Sequence, residues 1–219
     1  MVTGTTRKRQ PTLDDFQFTS RTYITARGRE LRDEPGLEDS DRSTIWHLNI
    51  SGLWDKIDNL KTAITNSPER PDVIGLCETH LKAKRDLPPD IRGYNYFYNS
   101  HCSASAGTAI YYKASLPAAE IQLDVPAEIR HRYTAAKIGD TVVVEAYAVV
   151  DSSSERDREE FFAGLIAVIH KTRCEYPQTP LILIGDLNGH IRGWHSETTN
   201  NNGRMIEHVA KRYNLEIVS

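Results

Sequence analysis

The sequence predicts a layered α/β fold. Three observations predict it: apolar, β-branched runs of strand length recur along the chain, helical segments with a one-sided apolar stripe lie between several of them, and Gly, Pro and Asx residues mark the junctions. At 219 residues the chain suits one large domain, or one domain with a tail.

Residues 1–42 mix charge, Thr, Gly and Pro without a sustained apolar period, so they read as a flexible leader, and the folded domain spans 43–219. Order begins at "STIWHLNISGL", where Ile45, Trp46, Leu48 and Ile50 make a strand that ends at Ser51-Gly52. A helix follows, with Ile57, Leu60 and Ile64 on one face. "PDVIGLCETH" is a second buried strand, opened by Pro71 and closed by Glu78, Thr79 and His80. "YNYFYNS" and "GTAIYYKA" suit paired strands, and "TVVVEAYAVV" is almost pure strand sequence. "ERDREEFFAGLIAVIHKTRCEY" is the clearest helix, with Phe161, Leu165, Val168 and Ile169 on one side and charges at its start. "PLILIGD" gives the next strand. A final helix follows, with Met205, Val209 and Ala210 inward, and then the opening of one more strand.

Bulk properties exclude several classes. A hydrophobic share of 39% and a charged share of 26% are those of an ordinary globular protein, not a fibre. A net charge of −3 argues against coating DNA by charge alone, while leaving room for a local basic groove. Cys77, Cys102 and Cys174 have no C-x-x-C spacing, so a reducing intracellular compartment is expected and no disulfide framework. The N-terminus "MVTGTTRKRQPTLDDF" has no apolar core of the kind a signal peptide needs, and no later segment approaches the length of a membrane span.

Three strands end on groups able to handle a metal or a phosphate: Leu48-Asn49, Leu76-Cys77-Glu78, and Ile184-Gly185-Asp186 with Asn188. Strand ends are where a rigid sheet can converge side chains distant in sequence. Each residue alone has a plainer use. Asp186 and Asn188 also form turns, Glu78 also suits a solvated strand end, and Tyr147 also suits a packed strand. The joint pattern is what points to a shared site. His190 and His195 have no cysteine nearby and make a poor zinc set.

The ordered series "LNISGL", "DVIGLCETHL", "GTAIYYKA", "VVVEAYA" and "LILIGDLNGHIRGW" resembles the exonuclease-endonuclease-phosphatase superfamily, especially the AP-endonuclease-like domains of LINE-type (non-LTR) retrotransposons. The resemblance covers roughly Ser43 to Ser219. It implies an α/β sandwich of two packed sheets flanked by helices, and a Mg²⁺-dependent endonuclease that nicks DNA, with Mn²⁺ as an alternative ion. It also implies that Asn49, Glu78 and Asp186 lie at the metal, that Tyr147 supports the scissile phosphate, and that Asp186 and Asn188 orient the attacking water. The residue types agree. Mg²⁺ prefers carboxylate and amide oxygens and keeps several waters, so few protein ligands are needed.

The family closes with a Ser-Asp-His segment, and no such motif precedes Ser219; His47, His80, His190 and His195 stand in other contexts. A C-terminally truncated, nearly inactive domain is therefore expected. A phosphatase of the same superfamily and an inactive remnant acting as a binding module are the alternatives. DNA is the expected partner, in the nucleus, with a monomeric protein and no membrane. In the leader, Gln10, Leu13 and Phe16 have the spacing of a peptide that binds a sliding clamp, with Gln17 where a second aromatic belongs.

Overall fold

Two sheets face each other across an apolar seam, and each is covered on its outer face by helices. The computed structural model describes residues 23–26, 43–82, 86–101 and 106–218. The first sheet comprises β2 (Ile45–Asn49), β3 (Val73–Cys77), β4 (Tyr94–Asn99) and β5 (Thr108–Lys113), in the order β2-β3-β5-β4. Strands β2 and β3 are parallel, and the helix between them, α1 (Leu53–Asn66), is their crossover. Its residues Leu53, Ile57, Leu60 and Ile64 pack on Leu48, Ile74, Leu76 and Tyr111, the outward side of that sheet.

The second sheet contains β1 (Tyr23–Ala26), β6 (Ala118–Glu120), β7 (Tyr133–Ile138), β8 (Thr141–Tyr147), β9 (Leu181–Asp186) and β12 (Leu215–Val218), in the order β12-β1-β9-β8-β7-β6. Parallel β8 and β9 are joined by α3 (Glu155–Glu175), whose Phe161, Leu165, Val168 and Ile169 lie in one cluster with Val142, Val144, Leu181 and Leu183. Helix α4 (Asn201–Tyr213) leads from the loop after β9 into β12 and adds Ile206, Val209 and Ala210 to that cluster. A minimal ladder, β10 (Ile191–Arg192) with β11 (His195–Ser196), lies between β9 and α4, and the short α2 (Ala127–Arg130) precedes β7.

Both long helices of this half start on capping residues. The Ser154 hydroxyl accepts the Asp157 amide at 3.1 Å, and the Asn200 side chain accepts the Gly203 amide at 2.7 Å. Each cap is worth about 1 kcal/mol. Helix α4 ends on Asn214 in the left-handed conformation, φ 50°, which Asn tolerates.

The expected strands and helices are present in the expected order. The sequence reading assigns no element to β6, α2 and β7. "YTAAKI" carries little β-branched bulk, and β7 exists because it pairs along its whole length with β8. Strand β1 lies inside the segment expected to be a flexible leader, antiparallel to both β12 and β9. Four residues are too few to register a period of two, so only the pairing partners reveal it. The rest of that segment, including Gln10, Leu13 and Phe16, lies outside the described residues. Among the described residues no helix is long and apolar enough to cross a membrane.

Candidate active site

Because side chains alternate along a strand, one set of residues from β2, β3, β8 and β9 faces the seam, and the register lines them up in rows. Ile45, Val73, Val143 and Ile182 pack at the apolar end. His47, Gly75, Glu145 and Ile184 form the middle row, and Asn49, Cys77, Tyr147 and Asp186 the last. The seam thus changes from hydrocarbon to polar groups as it approaches the surface. Glu78 and Asn188 follow at the loops beyond the last row.

The polar end is closely connected. Asn49 Nδ2 donates to Glu78 Oε1 at 2.7 Å and to Asp186 Oδ2 at 3.2 Å, bridging two carboxylates from opposite sheets. The Tyr147 hydroxyl donates to the same Glu78 Oε1 at 2.8 Å. Asp186 Oδ1 accepts the Asn188 backbone amide at 3.1 Å, while Asn188 Nδ2 donates to the Ala148 carbonyl at 3.0 Å. Asn200 Nδ2, from the cap of α4, donates to the Asn188 carbonyl at 3.0 Å and steadies that loop. All five residues expected at the site, Asn49, Glu78, Tyr147, Asp186 and Asn188, are brought together.

The backbone is bent to achieve this. Ser51, Glu78, His80 and Asn188 all have positive φ, between 41° and 55°. Such conformations cost a non-glycine residue about 1 kcal/mol or more and persist where surroundings over-determine them. Here the loops hold each other: the Gly52 amide donates to the Glu78 carbonyl at 2.8 Å and the Leu53 amide to the Thr79 carbonyl at 3.0 Å. Gly185 has φ 151°, and a Cβ there would overlap the Ala146 carbonyl of the adjacent strand. Only glycine lets β9 approach β8 this closely just before Asp186.

Below the mouth, His47 Nδ1 lies 3.2 Å from Glu145 Oε2, both side chains essentially without solvent. Burial pushes the Glu145 carboxyl up, and His47 only partly opposes this. Burial disfavours charge on His47, but Glu145 and then Asp186 more than offset it, so its pKa is raised. The pair therefore holds a shared proton tightly. Burial and the neighbouring carboxylates Glu145, Asp186 and Glu78 push the Cys77 thiol well up. Tyr147 is also shifted up, by burial and then by its bond to Glu78, so it remains a donor.

Beside Tyr147 opens a cleft of about 340 Å³, lined by His101, His131, Arg132, Val149 and Ser153. Arg132 Nη1 donates to the Tyr147 carbonyl at 3.2 Å, and its guanidinium lies 5.7 Å from the Tyr147 ring centre. It brings positive charge to an otherwise acidic mouth. His131 is pushed down to about 4 by burial, then by Arg132 and His101, and is neutral at physiological pH. On the other side, His80 Nε2 is 3.7 Å from Glu78 Oε2.

Sequence reasoning missed Arg132 and the His47–Glu145 pair. Arg132 precedes a strand that was not recognised. Glu145 did carry a signal: an acid in the middle of "TVVVEAYAVV" must find a buried partner.

Two carboxylates converge here with an amide between them, and among the described residues no Lys or Arg forms an ion pair with either. That pair of carboxylates fits a divalent cation held by Glu78 and Asp186 in the place Asn49 Nδ2 now bridges; Asn49 Oδ1, which accepts the Ser51 amide at 3.2 Å, joins them only if the amide turns over.

The model of the Endonuclease/Exonuclease/phosphatase family matches residues 47–215. Among solved structures, the AP endonuclease LMAP from Leishmania major is similar with a TM-score of 0.61 and 16% identity, over 81% of this chain and 68% of that one. The endonuclease domain of TRAS1, a telomere-specific non-LTR retrotransposon, gives 0.57 and 15%, over 81% and 74%. The 3′ phosphatase NExo from Neisseria, bound to a product DNA hairpin, gives 0.55 and 21%; it is matched over 67% of this chain, which spans 58% of its length. No curated protein matches.

Proposed function

Because the chain belongs to the endonuclease/exonuclease/phosphatase family, whose members are hydrolytic nucleases and phosphatases, we propose that it is a Mg²⁺-dependent phosphodiesterase that nicks DNA, of the non-LTR retrotransposon kind and acting in the nucleus. The observation that carries this reading is Asn49 bridging Glu78 and Asp186 at the ends of strands from both sheets. Similarity of fold to the TRAS1 domain supports the retrotransposon assignment.

Bound Mg²⁺ supplies charge against the phosphate oxygens as negative charge grows on them. The chain's own residues do the rest. Asp186, with one oxygen fixed by the Asn188 amide and the other by Asn49, is oriented to take a proton from the attacking water. Asn188 holds that water without adding charge. The Tyr147 hydroxyl, now on Glu78, is a neutral donor for a phosphate oxygen. Arg132 sets positive charge beside it.

The test is nicking of supercoiled plasmid by the full chain at high enzyme concentration, since a domain without the Ser-Asp-His motif is expected to turn over slowly. Mg²⁺ should support it, EDTA should abolish it, and Glu78→Gln or Asp186→Asn should slow it by about 10² to 10⁴ without unfolding the protein. Wild-type nicking by either variant overturns the assignment. Release of phosphate from a 3′-phosphorylated strand without nicking would redirect it to the phosphatase branch.

A further inference from the structure

Behind the mouth, His47, Cys77 and Glu145 offer a nitrogen, a sulfur and a carboxylate oxygen that all lie within 4.8 Å of one another, all three residues buried. We propose that this cluster is a second metal site, selective for a borderline-soft divalent ion, Zn²⁺, and distinct in chemistry from the oxygen-lined mouth.

The first ground is the donor set. Imidazole nitrogen and thiolate sulfur bind Zn²⁺ well and Mg²⁺ poorly, whereas the mouth offers only oxygens. Ligand atoms around tetrahedral Zn²⁺ stand about 3.5 Å apart, so the cluster reaches that geometry with small side-chain rotations.

The second ground is unmet bonding. His47 Nε2 and Glu145 Oε1 are buried and have no hydrogen-bond partner. Buried polar atoms are normally paired, and leaving them unpaired is costly. The third is space made on purpose. Gly75 sits opposite His47 in the β2–β3 register, and a Cβ on it would overlap Glu145 Oε2. The missing side chain on β3 is what admits the Glu145 carboxylate from the facing sheet.

Charge closes the case. Neutral imidazole, thiolate and carboxylate balance a dication, so the buried cluster, net neutral with its two protons in place, stays net neutral when the ion replaces them in a dry seam. On binding, the Cys77 thiol proton and the proton shared by His47 and Glu145 leave to solvent. Asp186 lies close enough for its charge to act on both His47 and Glu145. Zn²⁺ held there would compete for the Asp186 carboxylate and restrain the mouth. The site itself does not rest on the nuclease reading.

Co²⁺ serves as the spectroscopic probe, titrated into the full chain in excess Mg²⁺. One equivalent should bind, giving a thiolate-to-cobalt charge-transfer band in the near ultraviolet, and Zn²⁺ should displace it. Cys77→Ser should abolish the band, and His47→Gln should weaken binding at least tenfold while leaving the thiol in place. Cys174, which lies 3.7 Å from His170 Nδ1 on the surface of α3, and Cys102 are rival thiols, so Cys174→Ser and Cys102→Ser must each keep the band. Circular dichroism checks that each variant is folded, and Zn²⁺ should raise the melting temperature of wild type but not of Cys77→Ser. No band in wild type, a band that survives Cys77→Ser, or one displaced by Mg²⁺ overturns the proposal. The plasmid-nicking result bears on none of these outcomes.

Discussion

The Tyr147 hydroxyl donates to Glu78 Oε1 at 2.8 Å, so the last residue of β8 in one sheet is tied to the residue that follows β3 in the other. Tyr147→Phe removes the donor but keeps the ring. Nicking should fall by about 10²-fold, and stability by about 1 kcal/mol. The sign of the pH dependence follows from the raised phenol. Folding favours the neutral form, so this contribution is intact below the ordinary tyrosine value of about 10 and fades as pH rises beyond it. The melting difference between wild type and Tyr147→Phe should therefore shrink only in strong alkali. A difference that shrinks near neutrality would contradict the assignment.

Asn49 separates two carboxylates, and Asn49→Asp would set a third beside them. Without metal the variant should lose about 1 to 3 kcal/mol through like-charge repulsion, and Mg²⁺ should restore much of it by binding the folded form. Thermal melts across a Mg²⁺ titration check this. An Mg²⁺ response no larger than that of wild type would mean that these groups do not face a cation.

Two glycines are expected to be irreplaceable for steric reasons. A Cβ at Gly185 overlaps the Ala146 carbonyl at a φ of 151°, and one at Gly75 overlaps Glu145 and Ile184. Gly185→Ala and Gly75→Ala should each cost about 2 kcal/mol or more in chemical denaturation. A neutral effect at Gly185 would show that β8 and β9 lie further apart than described, and one at Gly75 that the two sheets do.

His131 is 7% exposed and is pushed down from 6.5 to about 4 by burial, then by Arg132 and His101. The unfolded chain takes up the proton more readily, so stability is full above about 6.5 and falls as pH drops toward 4, by up to about 3 kcal/mol. His131→Gln should flatten that window in pH-dependent urea melts. An unchanged slope would assign the acid sensitivity to other groups.

The order of strands and helices, and the residues at strand ends, were legible in the sequence alone, because periodicity and turn chemistry are local. A run such as "LILIGDLN" shows both that a strand is buried and that it ends on an acid and an amide. The resemblance of several such runs, taken in order, pointed to the family and to Asn49, Glu78, Tyr147, Asp186 and Asn188. Strand β7 was hidden because its alanines carry little propensity, and β1 because four residues show no period; both depend on partners elsewhere in the chain. Tertiary structure alone decided what those residues do to one another. Asn49 reaches Asp186 across 137 positions of sequence, and His47 meets Glu145 across 98. Contacts of that separation depend on how two sheets are set face to face, and on a glycine on β3 that leaves room for a carboxylate from β8. A side chain's burial can be read from its neighbours in sequence, but its partner across a seam is fixed only when the packed sheets bring the two together.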